Sequence, residues 1–131
     1  DQTSVLKKKS PLDIFADENS INSNDIPNLK GVFDGINIKL MKCGSIEEGY
    51  KMIKLARKFD LKIMLGCMVE SSIGITAASH LAGLVDFVDL DGNILISNDP
   101  YKGVKVIDGF LHLSLISGLG LKLNNKDKKL L

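Results

Sequence analysis

Four short apolar runs recur along this chain at nearly even spacing: LDIFA (12–16), GINIKLM (35–41), LKIMLGCM (61–68) and VDFVDLDG (85–92). The segments between them carry helical signals. Strand, helix and strand in repeated alternation constrain a fold more than any composition does, because parallel strands need crossover connections and helices supply them. The chain therefore reads as α/β with a parallel sheet. Its strands form either a small open sheet or half of a (β/α)8 barrel. SPLDIFAD starts a strand almost at once and leaves it no obvious preceding partner, which favours the half barrel and a single partial domain.

The connecting segments differ in clarity. Ser45 to Phe59 is the clearest helix, with Ser45 as N-cap and Glu48 three residues on completing a capping box. Ile46, Tyr50, Ile53, Leu55 and Ala56 fall near one face, and Lys54, Arg57 and Lys58 sit at the end that favours cations. ESSIGITAASHLAGL (70–84) reads as a second helix, with Gly83 near its end. Ser20 to Lys30 is polar, with a weak helical period through Ile26 and Leu29. Beyond Asn93 the pattern turns to β-like pieces, ILI and FLHLSL, separated by the turn signals NDPYKG and IDG. The closing NNKDKKLL (124–131) is a charged tail.

Composition excludes several functional classes. The 131 residues are 44% hydrophobic and 25% charged with a net charge of +1, so bulk electrostatics favour neither nucleic acid nor an anionic membrane. No apolar run approaches the roughly 18–20 residues of a membrane span, and the polar start does not read as a signal peptide. Cys43 and Cys67 lack zinc-type spacing and make no disulfide framework, which points to an intracellular, cytoplasmic protein with free thiols. Tryptophan is absent and aromatics are 5% of the chain, too few for stacking platforms.

The polar residues within the apolar runs carry the chemistry. Side chains alternate across a strand. Ile36, Ile38 and Leu40 then share one face of GINIKLM, and Asn37 and Lys39 the other. By the same rule Phe15 shares a face with Asp17, and Phe87 with Asp89 and Asp91. In a parallel barrel the polar sets point inward and chemistry gathers at the C-terminal rim, so Asp17, Lys39, Asp89 and Asp91 converge on one pocket. Plainer roles exist for several of these residues. An aspartate after a strand commonly caps a helix, which covers Asp17, and Glu70 too; Asp91-Gly92 is also a turn signal. Lys42 reads as a solvated rim charge, His80 and His112 as structural, and Cys67 and Met68 as packing. Lys39 is the exception, because an ammonium among Ile, Leu and Met is costly unless carboxylates meet it. Burial also lowers a lysine pKa, as a general base requires.

ADEN (16–19), GINIKLMKCG (35–44), LGCMVESSIGITAASHLA (65–82), DFVDLDG (86–92) and the DPYKG and SGLGL segments stand in an order and spacing that resembles the C-terminal half of the dipeptide epimerases. These are close to the L-Ala-D/L-Glu epimerases, in the muconate-lactonizing branch of the enolase superfamily, and the resemblance covers roughly residues 10–123. It implies the last four strands of a (β/α)8 barrel, with a C-terminal β-like extension, capped in the whole protein by an α+β domain. It implies Mg²⁺-dependent abstraction of the proton α to a carboxylate through an enolate. In this reading Asp17 is a Mg²⁺ ligand and Lys39 the acid/base lysine. Asp89 and Asp91 receive the dipeptide's ammonium group, Cys67 and Met68 build the pocket wall, and Glu70 anchors the following helix.

The implied partners are a small dipeptide, the remainder of the barrel with its capping domain, and a second copy in a homo-oligomer. The second lysine and two further metal carboxylates of that family have no counterpart in these residues. Asn19 stands where Ser is usual, and Ser117-Gly118 where Pro-Gly is common. The 131 residues alone are therefore expected to be inactive.

Overall fold

The computed structural model describes residues 2–124; the closing residues 125–131 of the charged tail lie outside the described part. A helix α1 (Gln2–Lys9) precedes a four-stranded parallel sheet of β1 (Phe15–Ala16), β2 (Gly35–Ile38), β3 (Lys62–Leu65) and β4 (Phe87–Val88), in the order β1-β2-β3-β4. Between the strands lie α2 (Leu40–Cys43), α3 (Ile46–Lys58) and α4 (Ser72–Ser79). Consecutive parallel strands with helical connections are the arrangement the apolar spacing implies. The register pairs Ile36 with Ile63 and Ile38 with Leu65, so both apolar pairs point to one side. There they are fully buried with Met52 and Ala56 of α3 and Ile75 of α4.

The opposite face explains the curvature. β1 and β4 are separated by two strands, which in a flat sheet would put them about 14 Å apart, three spacings of ~4.8 Å. Yet the rings of Phe15 and Phe87 meet edge to face with centroids 5.6 Å apart. The sheet must curl for this, and Gly35 permits it. A Cβ there would lie 2.4 Å from Phe15 Cε1 and 2.7 Å from the Lys62 carbonyl oxygen, so only glycine lets the ring cross β2.

Local signals set α3. Ser45 accepts the Glu48 N–H at 3.0 Å, as an N-cap should. The other half of the capping box is absent, because the Glu48 carboxylate turns away to accept the Ser23 N–H at 2.7 Å. The buried face is also rotated from the expected one: Gly49, Met52, Ile53 and Ala56 are buried, while Ile46 and Tyr50 are exposed. Tyr50 instead carries the Lys54 ammonium 4.5 Å from its ring centroid.

Other boundaries differ for identifiable reasons. Leu40 and Met41 are not strand; they belong to the single turn α2, closed by Gly44 in the left-handed region with φ 86°. Ser20–Lys30 forms only a 3₁₀ turn, Ile26–Leu29, opened by Pro27. Residues 94–96 are not a strand, because Gly92–Leu95 is a 3₁₀ turn. α4 is shorter than its sequence pattern, and Ala82–Leu84 is a separate 3₁₀ turn. The β-like extension does form. β5 (Tyr101–Lys102) pairs antiparallel with β8 (Lys122–Leu123), and β6 (Lys105–Ile107) with β7 (Phe110–His112). The Asp108-Gly109 loop of the second pair has positive φ at both residues, the geometry that two-residue hairpins favour. Asp99 ties this extension to the barrel side by accepting both the N–H and the hydroxyl of Ser72, at 2.8 and 2.6 Å, at the start of α4.

At the N-terminal ends of the strands lies a concavity of about 610 Å³. Its walls hold the ion pairs Lys7–Asp34, Lys62–Asp13 and Arg57–Asp86. Paired charges at that end of a barrel speak for stability rather than chemistry.

Two outcomes follow for the full-length protein. Gly35→Ala should cost about 1–3 kcal/mol, the usual range for overpacking, and Phe15→Leu in the same background should recover part of it; denaturant unfolding measures both. The Arg57 guanidinium holds the Asp86 carboxyl below its ordinary value against an opposing effect of burial. That contribution is present above the unfolded pKa of about 3.9 and is lost as pH falls through the lower folded value. The Tm difference between wild type and Asp86→Asn, followed by calorimetry, should therefore narrow as pH drops below about 4.

Candidate active site

Every candidate residue lies just beyond the C-terminal end of a strand. Asp17 follows β1, Lys39 follows β2, Cys67 and Met68 follow β3, and Asp89 and Asp91 follow β4. Backbone pairing continues into this rim, with Gly66 N–H to Ile38 O at 2.8 Å and Asp89 N–H to Leu65 O at 2.9 Å. The strand register thus delivers the side chains to a common edge.

Asp17 and Lys39 meet. Lys39 Nζ lies 2.9 Å from Asp17 Oδ2, and the lysine side chain is only 14% exposed. Asn37, inward-facing and two residues earlier on β2, donates from Nδ2 to the same oxygen at 3.3 Å. The Asn37 Oδ1 atom is buried without a hydrogen-bond partner, in a space that exists because a Cβ on Gly66 would lie 2.5 Å from it. The sequence pattern gives Asn37 no role beyond sharing a face with Lys39.

Lys42 departs from its expected role. It is not a solvated rim charge: its side chain is 11% exposed and its ammonium pairs with Asp17 Oδ1. It also donates to the Asp17 main-chain oxygen at 2.5 Å. A lysine one helical turn beyond another was the available signal, since positions i and i+3 share a face once α2 is recognised as helical.

The electrostatics reverse another expectation. Lys39 does not have a lowered pKa in this arrangement. Its hydrogen bond to Asp17 raises it, burial pulls the other way, and the charges of Asp17, Glu18 and Cys67 add to the rise. Pairing outweighs desolvation because the carboxylate sits at contact distance. Burial pushes the Asp17 carboxyl up, but the hydrogen bonds and charges of Lys42 and Lys39 prevail and hold it below the ordinary range.

Cys67 and Asp91 form a second pair, Sγ to Oδ1 at 3.9 Å. Gly92 makes this approach possible, because a Cβ there would lie 2.1 Å from the Met68 carbonyl oxygen. Burial pushes the Cys67 thiol up, and the Asp91 and Glu70 charges push the same way. Both cysteines are free thiols. Asp89 and Met68 are exposed on the rim, and their side chains make no hydrogen bond to either pair among the described residues. Glu70 accepts the Met68 N–H at 3.1 Å and lies against the first turn of α4, where a Cβ on Gly74 would be 1.8 Å from its Oε2. His80 has its ring Nε2 3.4 Å from the Leu119 carbonyl oxygen, a structural contact.

Asp17 suits a hard divalent cation as one oxygen ligand, since Mg²⁺ commonly takes one or two carboxylates and keeps several waters. No cluster of three or more His, Cys, Asp or Glu that could hold a metal occurs among the described residues. The fit is therefore to one ligand of a site, not to a complete one.

Comparison with known proteins places this arrangement in a family. The Enolase C-terminal domain-like family matches residues 1–128. The L-Ala-D/L-Glu epimerase of Bacteroides thetaiotaomicron is 48% identical over 121 residues, covering 92% of this chain and 32% of that protein. The L-Ala-D/L-amino acid epimerase of Pedosphaera parvula is 45% identical over 122 residues, covering 92% of this chain and 35% of that protein. The dipeptide epimerase of Enterococcus faecalis, solved with Mg and L-Leu-L-Tyr, superposes with a TM-score of 0.82 at 36% identity, covering 91% of this chain and 36% of that one. The chain thus spans about a third of the length of the curated relatives it matches. Its four strands correspond to part of the barrel of those enzymes. The chain belongs to the Enolase C-terminal domain-like family.

Proposed function

We propose that the protein containing this chain is a Mg²⁺-dependent dipeptide epimerase, moving a proton at the α-carbon of the C-terminal residue of a dipeptide such as L-Ala-L-Glu. The observation that carries this reading is the Asp17–Lys39 pair, 2.9 Å apart at adjacent strand ends. A proton next to a carboxylate is very weakly acidic; bound Mg²⁺ would supply charge stabilisation to the enolate. Asp17 provides one hard oxygen for that ion. Lys39, held as an ammonium by its pairing with Asp17, stands where it can return a proton to one face of the α-carbon, and it can take one only once freed from that pairing.

The rim is also polarised in a way that suits a dipeptide. The Lys39 ammonium stands at the β1–β2 side, and two aspartates, Asp89 and Asp91, follow β4. A substrate with a carboxylate at one end and an ammonium at the other matches that order, and carboxylates bind an ammonium through charge-assisted hydrogen bonds. Cys67, held against Asp91 as a neutral thiol, and Met68 serve as pocket wall. The described residues offer one lysine base and one candidate cation ligand, so the activity belongs to the full-length protein. The 131 residues alone should not turn over substrate.

The same Asp17–Lys39 pair supports a second reading. A lysine with a raised pKa in an ion pair is also what a non-catalytic α/β module would hold. Mg²⁺ separates the two readings: the epimerase should gain thermal stability with added Mg²⁺, and Asp17→Ala should abolish the gain. A non-catalytic module should show no shift.

The activity itself is read by incubating the full-length protein with Mg²⁺ and L-Ala-L-Glu in D₂O and following deuterium at the glutamyl α-carbon by mass spectrometry. Incorporation should fall by at least two orders of magnitude in Lys39→Ala, the lower bound of the general acid–base range of about 10²–10⁴-fold. Undiminished incorporation would defeat the role assigned to Lys39. An Asp89→Ala, Asp91→Ala double variant should lose dipeptide turnover. If it retained turnover, the ammonium-receptor role would fail; an o-succinylbenzoate synthase or muconate cycloisomerase activity becomes the better reading if the wild-type protein turns over no dipeptide.

A further inference from the structure

Lys42 is a rim lysine that the proposed proton transfer does not use, and it is as buried as Lys39, with side chains 11% and 14% exposed. Removing an ammonium from water is costly, and both acceptors that compensate it belong to a single residue. One is Asp17 Oδ1. The other is the Asp17 main-chain oxygen, at 2.5 Å. A bond to the carboxylate alone would leave the aspartate free to change rotamer. A donor that holds the carboxylate and the backbone of one residue together fixes the side-chain torsions between them.

Both ends of this clamp are hydrogen-bonded in place. The Asp17 carbonyl also receives the Ser20 N–H at 3.0 Å, with the Ser20 hydroxyl 3.0 Å away, and Ser20 is 1% exposed. Lys42 rises from α2, a turn closed by the Gly44 N–H to Leu40 O bond at 2.8 Å. The consequence is a division of the carboxylate. Oδ1 is committed to Lys42. Oδ2 is turned toward the inward-facing Lys39 and Asn37, at 2.9 and 3.3 Å.

We infer that Lys42 is a positioning residue that locks the Asp17 carboxylate so that Oδ2 is presented to the site interior. Lys42 acts through Asp17 and does not itself touch the substrate. This rests on the reading of Asp17 as a Mg²⁺ ligand, and the experiment separates the two.

Mg²⁺ binding to the substrate-free, full-length protein is measured by titration calorimetry for wild type, Asp17→Ala, Lys42→Met, Lys42→Gln and Lys42→Arg. Loss of a residue that orients a metal ligand typically weakens affinity 10–100-fold. Lys42→Met should therefore weaken Mg²⁺ binding by at least about tenfold. Lys42→Arg, whose forked donor reaches both acceptors, should restore most of it, and Lys42→Gln, which keeps a donor without charge, should restore part. Mg²⁺ binding as tight as wild type, or tighter, in Lys42→Met would mean that Lys42 acts only as a competing cation, and would overturn the inference. If Lys42→Met fails to fold, Lys42→Gln decides the matter alone: weakened binding upholds the positioning role, and unchanged or tighter binding overturns it. Asp17→Ala is the control for the underlying reading. If it binds Mg²⁺ like wild type, Asp17 is not a ligand, and both claims fall.

Discussion

A ring on one edge strand touches a ring on the other because Gly35, over which the Phe15 ring passes, has no side chain. Phe15 crosses β2 at Gly35 to reach Phe87, and a flat parallel sheet could not accommodate that contact. The curl it reflects sets the direction of everything above it. Residues at the C-terminal ends of β1 and β2 converge on one side of the sheet, while the aliphatic pairs of β2 and β3 pack against α3 and α4 on the other. Backbone alternation decides which residues face inward; the curl decides that they meet.

What meets is a charge cluster centred on one carboxylate. Asp17 accepts from Lys39, Lys42 and Asn37 through its side chain and from Lys42 and Ser20 through its backbone. Three side-chain donors on one carboxylate exceed what a simple surface ion pair requires. The two lysines hold the Asp17 carboxyl down, and Asp17 in turn holds Lys39 up, each against the effect of its own burial. The ion pairs at the opposite strand ends are of another kind. Arg57 and Asp86 are 44% and 34% exposed, and such a pair contributes little beyond fixing local geometry.

Much of this was legible in the sequence, and the reasons are specific. The parallel sheet followed from the spacing of four apolar runs, and the N-cap of α3 from Ser45 and Glu48. The placement of Asp17 and Lys39 on one face followed from period two. What escaped was information carried by contacts between distant residues. Glu48 abandoned the capping box for Ser23, 25 positions away. Lys42 looked solvated because its partner lies 25 positions earlier. The turn that carries it was hidden inside an apolar run whose strand ends at Ile38. The raised pKa of Lys39 likewise depends on a pair distance that no pattern supplies. Gly92 reads as part of a turn signal and Gly35 and Gly66 carry no sequence signal of their own; only the folded chain reveals all three as sites of close approach.

The central claim is that Asp17 and Lys39 act on one bound substrate. A crystal structure of the full-length protein with Mg²⁺ and L-Ala-L-Glu tests this most directly. The account predicts Asp17 coordinating the metal at about 2.0–2.1 Å. It also predicts Lys39 Nζ about 3–3.5 Å from the glutamyl α-carbon, a reactive separation. A structure in which Lys39 still pairs with Asp17, while the dipeptide and metal sit elsewhere, would contradict it.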